Sequence, residues 1–426
     1  MQCRKYAHKP GLYSKSRMLV HKHKMNTNNQ FVNHISYMCA APRISTRLDA
    51  EISGPRAHIL GFIQGLESNG VDVSQFIVGD RLPPSLNKSK MEKNLSGNIL
   101  KTTLLDLARL GLGYSNARQA WQALGNKVDL VYERFSPFSA LGKRFQRHGI
   151  PWVVETHAPL FYESNIERKT ASLTSLARQI EIQAYRDCDL IVCVSNTLKN
   201  IIQSAAEVPE DKIYVMPNAV DIHRFDAATV FPKRYFDGFT VGFVGRLYEW
   251  HGLHLLLQAI ANLRQESIDI SLVIVGDGST REELETLAQS LGILGNVRFL
   301  GQVDWQNVPS LIAGFDVGYV GNIPMQSGKM YHSPLKLYEY MAMKKPPVAS
   351  AYEDAISVTQ NGALGFLYQP GNLVDIQRAL QEAFNSKEAI SRIGEAASHE
   401  ILTNHTWDHR AKTLLTHLRE QLTYNA

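Results

Sequence analysis

From about residue 35 onward, short apolar runs bounded by turn residues alternate with longer amphipathic stretches. "HISYMCA" reads as a first strand, "AHILGFIQGLESNG" as a helix closed by Gly70, and "VDVSQFIVG" as the next strand. "VDLVYERF" and "IPWVVETHA" are further strands, and "SLARQIEIQAYRDC" is a helix running into the strand "DLIVCVS". Strands this evenly apolar are covered on both faces, so the alternation predicts a parallel sheet between two helical layers.

Residues 221 to 238, "DIHRFDAATVFPKRYFDG", interrupt the rhythm with polar, proline and glycine positions and read as a connection between two domains. The rhythm restarts at "FTVGFVG", followed by a helix from about Gly252 to Arg264 and the strand "ISLVIVGDG". Thr280 and Glu283 have capping-box spacing at the start of the helix "REELETLAQSLG". "NVRFLGQV", a helix around "NVPSLIAGF", the strand "DVGYV" and a loop over 321 to 332 complete the second half. The expected architecture is α/β, with two doubly wound halves facing a cleft. Ligands of such sheets bind beyond the carboxyl ends of the strands.

A chain of 426 residues, 44% hydrophobic, is ample for two such domains. Its net charge of +5 is concentrated at the start, where residues 1 to 24 carry seven Lys or Arg and no acid, leaving the remainder at −2. A body this close to neutral is not that of a nucleic-acid enzyme. The basic segment, residues 1 to 30, reads as a disordered extension, as sequence upstream of a start at Met25, or as a contact for an anionic membrane surface. Cys3, Cys39, Cys188 and Cys193 lack disulfide-scaffold or zinc spacing, and no run approaches 18 apolar residues. A cytoplasmic protein, at most peripheral on the inner face of the membrane, is expected.

Candidate chemistry begins with "SPLKLYEYMA" at 333 to 342. Ser333 is a good N-cap and Pro334 suits the first turn, which directs the free N–H groups of Leu335 and Lys336 toward the cleft as an anion site. Glu339 lies one turn further in, and its side chain leans back toward the same place. A carboxylate is all acceptor, and its natural partner beside a phosphate is a ribose diol; the helix dipole alone also favours a glutamate there. Arg246 follows the strand "FTVGFVG" with a planar fork suited to phosphoryl oxygens, and His251 lies five residues on. Gly276, Asp277 and Gly278 form a turn with close backbone approach. Neither a dinucleotide-binding fingerprint, a P-loop, H-E-x-x-H nor G-x-S-x-G occurs in its required context.

In that order, "VGFVGRLYEWHGLHLLLQAI", "LVIVGDG", "NVRFLGQV" and "SPLKLYEYMAMKKPPVAS" resemble the donor domain of the glycosyltransferase family 4 group, retaining enzymes of the GT-B fold. "AEISGPRAHILGFIQGL", "YERFSPFSALG", "VVETHAPLFYE" and "KIYVMPNAVDIHRF" are similar to landmarks of its first domain. The resemblance implies an acceptor-side domain over 31–222, a linker over 223–238, a nucleotide-sugar donor domain over 239–405, and a C-terminal helix over 406–426 that crosses back. It also implies that Arg246 neutralises the donor diphosphate, Glu339 binds ribose, and Gly54 marks the loop approaching the phosphates. His157 would lie near the transferred sugar, as a positioning group more than a base, and base contacts would run through the backbone near Val303. No metal or cofactor is expected; the substrate would be a nucleoside-diphosphate sugar of UDP or GDP type.

Two positions depart from the family pattern. Tyr331 stands eight residues before Glu339, where the family has a glutamate, and His251 stands where a lysine is usual. Glu133 and Arg134 either line the acceptor side of the cleft or form a surface ion pair. The expected activity is metal-independent hexosyl transfer to a glycan or lipid-linked acceptor, as in cell-surface polysaccharide biosynthesis. Alternatives are a degenerate scaffold that binds nucleotide or a partner without turnover, and a nucleotide-sugar epimerase.

Overall fold

The computed structural model describes residues 32–50, 53–82, 99–163, 172–324 and 328–424. The basic segment expected over residues 1 to 30 lies outside them, with only Val32 onward following it. The first sheet is built from β1 (His34–Cys39), β2 (Asp72–Ile77), β3 (Leu130–Arg134), β4 (Trp152–Thr156), β5 (Leu190–Cys193) and β6 (Ile213–Val215), all parallel, in the order β2-β1-β3-β4-β5-β6. The second contains β7 (Phe239–Val244), β8 (Ile270–Val275), β9 (Val297–Gly301), β10 (Val317–Val320), β11 (Pro347–Ser350) and β12 (Phe366–Tyr368). These are also parallel, in the order β12-β11-β10-β7-β8-β9. Every residue of β4, β5, β8, β10 and β11 is buried, as the apolar runs require.

Strand order reverses between β1 and β3 in one sheet and between β7 and β10 in the other. At such a reversal the following connections diverge to opposite faces and open a crevice at the strand ends. Arg134 ends β3, and Gly245 with Arg246 follows β7, so both switch points carry residues singled out above. Between β2 and β3 stands a 26-residue helix, Ile99–Leu124, that the periodicity reading passed over.

The capping box expected at Thr280 is not formed. Thr280 has φ −98° and ψ 6° instead of extended N-cap geometry, and its hydroxyl makes no cap bond. Its backbone N–H is drawn instead to Leu247 O at 3.4 Å.

Residues 221–238 contain no helix or strand. Beside this segment the chain passes between the sheets a second time: Val220 N–H donates to His405 O at 3.1 Å, and Trp407 N–H to Val220 O at 3.4 Å. The C-terminal helix Trp407–Tyr424 then lies on the first domain. Ala411, Leu414, Leu415 and Leu418 form one helical stripe, buried against Ile59, Phe62, Ile63 and Leu66 of the Gly54–Ser68 helix. Close approach depends on two glycines one turn apart: a Cβ at Gly61 would fall 2.2 Å from the Trp407 ring, and one at Gly65 only 2.5 Å from Trp407 O. No helix among the described residues is long and apolar enough to cross a membrane.

Because the obstacle at Gly65 is backbone, Gly65→Ala is expected to cost about 1–3 kcal/mol through overpacking. A urea titration checks it; an unchanged midpoint would mean that the C-terminal helix does not lock onto the first domain in this way.

Candidate active site

The helix Leu335–Ala342 is positioned by the two tyrosines that flank Glu339. Tyr340 lies over Gly318 of β10, where a Cβ would be 2.2 Å from its ring, and its hydroxyl accepts a 2.8 Å hydrogen bond from Val244 N–H at the end of β7. Tyr338 donates to Asp354 Oδ2 at 2.9 Å. With Leu337, Tyr338, Tyr340 and Met341 buried, the half-buried face left over is Leu335, Lys336 and Glu339. The surrounding protein makes no hydrogen bond to the Glu339 carboxylate among the described residues. Burial raises its pKa, while Arg224 and Lys336 nearby oppose that rise.

Ser333 does not cap this helix, contrary to the sequence expectation. Pro334 occupies the N-cap position, and the Ser333 hydroxyl instead accepts from Asn218 N–H at 2.9 Å. The serine is thereby spent on tying the helix start to the chain leaving β6. The amides of Leu335 and Lys336 stay uncapped by it, which keeps the anion site open.

Arg246 is exposed at the end of β7. His251, at the position where the family usually has a lysine, is a neutral side chain. It lies in the 3-10 turn Glu249–His251, with its ring 5.3 Å from Phe243, and Nδ1 is 3.3 Å from Gly321 O. Burial first, and Lys336 second, push its pKa well below the ordinary histidine value. The glycines of the Gly276–Asp277–Gly278 turn serve the backbone: a Cβ at Gly276 would strike Gly245 O, and one at Gly278 would strike Leu247 O. Asp277 Oδ1 accepts from Gly278 N–H at 2.8 Å, and Oδ2 faces Arg281 at 3.7 Å. Val303 is half-buried beyond the end of β9.

From the first domain, the Gly54–Ser68 helix begins opposite this site, since a Cβ at Gly54 would lie 3.7 Å from Leu335 Cδ1. Two helix starts therefore converge, one from each sheet. His157 follows β4, and its Nε2 accepts from Arg134 Nη1 at 2.5 Å. That bond places the ring proton on Nδ1. Burial, then Arg134, drives the His157 pKa down to about 3. Arg134 is not a surface ion-pair residue: it is largely buried and contacts both His157 and Glu155. Glu133 does not line the cleft: it is fully buried, its carboxylate accepts from Leu141 N–H at 2.9 Å and Gly142 N–H at 2.8 Å, and burial raises its pKa to about 7. The cause is strand alternation, which sends neighbours 133 and 134 to opposite faces.

Several participants escaped the sequence reading. Glu155 is buried within β4 and accepts from Tyr37 at 2.9 Å and Tyr132 at 3.2 Å, with His58 Nε2 at 2.6 Å. Burial alone would raise its pKa, but His58 and His157 outweigh it and hold the carboxylate ionised. His58 Nδ1 meets Asn218 Oδ1 at 2.8 Å, and Asn218 Nδ2 donates to Ser333 O, so one chain of hydrogen bonds joins β4 to the donor-side helix. The available signal was a glutamate inside the apolar run "WVVET". His58, Glu155 and His157 have ligand-type atoms within 4.8 Å of one another. Arg134 touches two of them, so a guanidinium already lies against the cluster. Tyr331, at the family's glutamate position, is fully buried and donates to Glu163 Oε1 at 3.1 Å. A carboxylate from the first domain therefore stands next to the position where the family pattern has one.

The model for Glycosyltransferase Family 4 matches residues 52–224, and that for Glycosyl transferases group 1 matches residues 231–400. An uncharacterized glycosyltransferase of Methanocaldococcus jannaschii is 25% identical over 85% of this chain and 93% of its own length. An alpha-D-kanosaminyltransferase of Streptomyces kanamyceticus is 22% identical over 59% of this chain and 65% of its own. Among solved structures, sucrose-phosphate synthase of Thermosynechococcus elongatus superposes with a TM-score of 0.66 at 15% identity, covering 92% of this chain and all of that one. Anabaena HepE, solved with UDP and glucose, gives 0.61 at 16% identity over 91% and 99%. With consecutive family matches on its two halves and this architecture throughout, the chain belongs to the family 4 glycosyltransferases of the GT-B fold.

Proposed function

We propose that this enzyme transfers a hexosyl group, with retention of configuration, from a UDP- or GDP-sugar to a hydroxyl of a glycan or lipid-linked acceptor, as in cell-surface polysaccharide assembly. The observation that carries this reading is the convergence at the β7–β10 switch point. There an uncapped helix start, Arg246 and the unpartnered Glu339 carboxylate meet the Gly54 helix start from the other sheet. Helix starts and a guanidinium take a diphosphate; an acceptor-only carboxylate beside them takes the ribose hydroxyls. Solved neighbours bound to UDP are consistent with that ligand class.

The state of His157 is consistent with retention. With Nε2 occupied by Arg134 and the proton on Nδ1, its ring has no lone pair to offer an incoming hydroxyl, but it has an N–H to direct at the donor sugar. The acceptor proton is then best taken by the leaving diphosphate oxygen on the same face of the sugar. Charge grows on that oxygen as the glycosidic bond breaks, and Arg246 with the helix-start amides stabilises it where other enzymes use a metal cation. Transfer on the cytoplasmic side, in peripheral contact with the membrane, suits a lipid-linked acceptor.

Glu339→Gln keeps the shape but replaces one acceptor oxygen by a donor. Loss of about 1–3 kcal/mol of UDP or GDP affinity is expected by calorimetry with the fold intact; equal affinity would leave Glu339 a residue placed only by the helix dipole. Arg246→Ala should lower turnover on the order of a hundredfold, and more than it weakens ground-state binding, because it acts mainly on developing charge. Single-turnover kinetics separates the two effects, and a loss confined to binding would remove the transition-state role. Activity should also survive exhaustive chelation; loss restored by magnesium would contradict a diphosphate neutralised by side chains and amides.

A further inference from the structure

We infer, building on the nucleoside-diphosphate reading above, that the Lys336 side chain is the second cation of the diphosphate site. It reaches from the Leu335–Ala342 helix to the end of β7 and supplies the charge that His251 does not. The sequence pattern has the cation five residues after Arg246, but the structure puts it on a different element.

Three observations carry this. His251 is held neutral: burial and the adjacent Lys336 lower its pKa well below the ordinary histidine value, and its single proton sits on Nδ1, 3.3 Å from the Gly321 carbonyl. A second proton would be buried next to an ammonium group. Lys336 Nζ, by contrast, is buried with no hydrogen-bond partner among the described residues, and 3.9 Å above it lies only the π face of Phe243. An ammonium taken out of water without an anion or acceptor is costly, and the cation–π contact offsets only part of that cost. Finally, the backbone makes room for this amino group. A Cβ at Gly245 would sit 3.0 Å from Nζ, so the glycine immediately before Arg246 brings the ammonium to the strand end where the guanidinium begins.

The charged and titratable groups around Lys336 are few. Glu339 faces it from its own helix, His251 from the 3-10 turn with His332 beyond, and Arg246 follows Gly245 just past β7. Glu339 raises the lysine's pKa, but burial lowers it more, to about 7. A bound diphosphate adds two negative charges to a site otherwise weighted toward cations, and so holds the proton on Lys336. The sign is then fixed. The contribution of Lys336 to diphosphate affinity is full below its pKa of about 7 in the free protein and is lost as pH rises from there through its higher pKa in the complex.

Lys336→Met tests this with UDP and GDP as probes and uridine and guanosine as phosphate-free controls. The variant removes a buried ammonium from an apolar setting, so its melting temperature without ligand should stay the same or rise. Diphosphate affinity should fall about tenfold or more while nucleoside binding is unchanged. The ratio of unmodified to variant affinity cancels the ligand's own ionisation, and it should shrink from about pH 6 to about pH 9. Moving the charge back, in His251→Lys with Lys336→Met, should recover part of the affinity. If methionine disturbs the fold by circular dichroism, Lys336→Gln replaces it with the same expected loss. Diphosphate affinity within twofold of the unmodified protein, in a folded variant, overturns the inference alone. Failure of the unmodified protein to bind either UDP or GDP overturns the inference together with the proposed function.

Discussion

Everything on the first-domain side of the cleft depends on one ionised carboxylate in the interior. Glu155 sits inside a fully buried strand, where an unpaired charge is not tolerable, and it persists because Tyr37, Tyr132, His58 and Arg134 surround it. These partners come from β1, β3 and the Gly54–Ser68 helix, so a single charge fixes three elements relative to β4. Breaking such an arrangement by removing one member typically costs about 3–5 kcal/mol, because the remaining charge is left uncompensated. The same groups then act outward. Arg134 fixes the tautomer of His157, and His58 passes the constraint through Asn218 to the start of the donor-side helix.

The donor side is organised by shape more than by charge. Gly318 admits Tyr340, Gly245 admits the Lys336 amino group, and Gly276 and Gly278 let the turn after β8 close on the chain leaving β7. A side chain at any of these positions would push the helix or the turn away from the switch point. Glycine here therefore sets where the polar groups stand, and it does so without touching a ligand itself. Arg224 completes this side: its guanidinium donates to Trp305 O at 2.9 Å and lies 4.5 Å from the Trp305 ring, near Glu339.

At both departures from the family pattern a group of the usual charge stands nearby on another element. Where a glutamate is usual, Tyr331 is directed into the first domain and meets the carboxylate of Glu163. Where a lysine is usual, His251 is neutral, and an ammonium arrives from the helix opposite. Motif comparison along the chain registers two losses at these positions. Comparison in space registers a carboxylate and a cation on neighbouring elements.

Much was determined by the sequence alone. The βαβ rhythm, the two halves and the ordered donor-domain blocks were all legible, because buried parallel strands demand contiguous apolar runs whatever their neighbours are. Arg246 and Glu339 could be singled out because polar residues at strand ends and helix starts of such a fold face its crevice, whereas His157 came from the family resemblance and Arg134 was one of two alternatives. Tertiary structure alone decided the charge states and the partners. Glu133 and Arg134 are adjacent in the chain, yet one is buried under backbone amides and the other reaches His157. Ser333 has the composition of an N-cap but is claimed by Asn218. His251 and Lys336 are 85 positions apart, and only folding places them against one strand end, where the lysine's ammonium disfavours a proton on the imidazole. Protonation and hydrogen bonding depend on distance in space and on exclusion of water, and neither is encoded in the local pattern that specifies helices and strands.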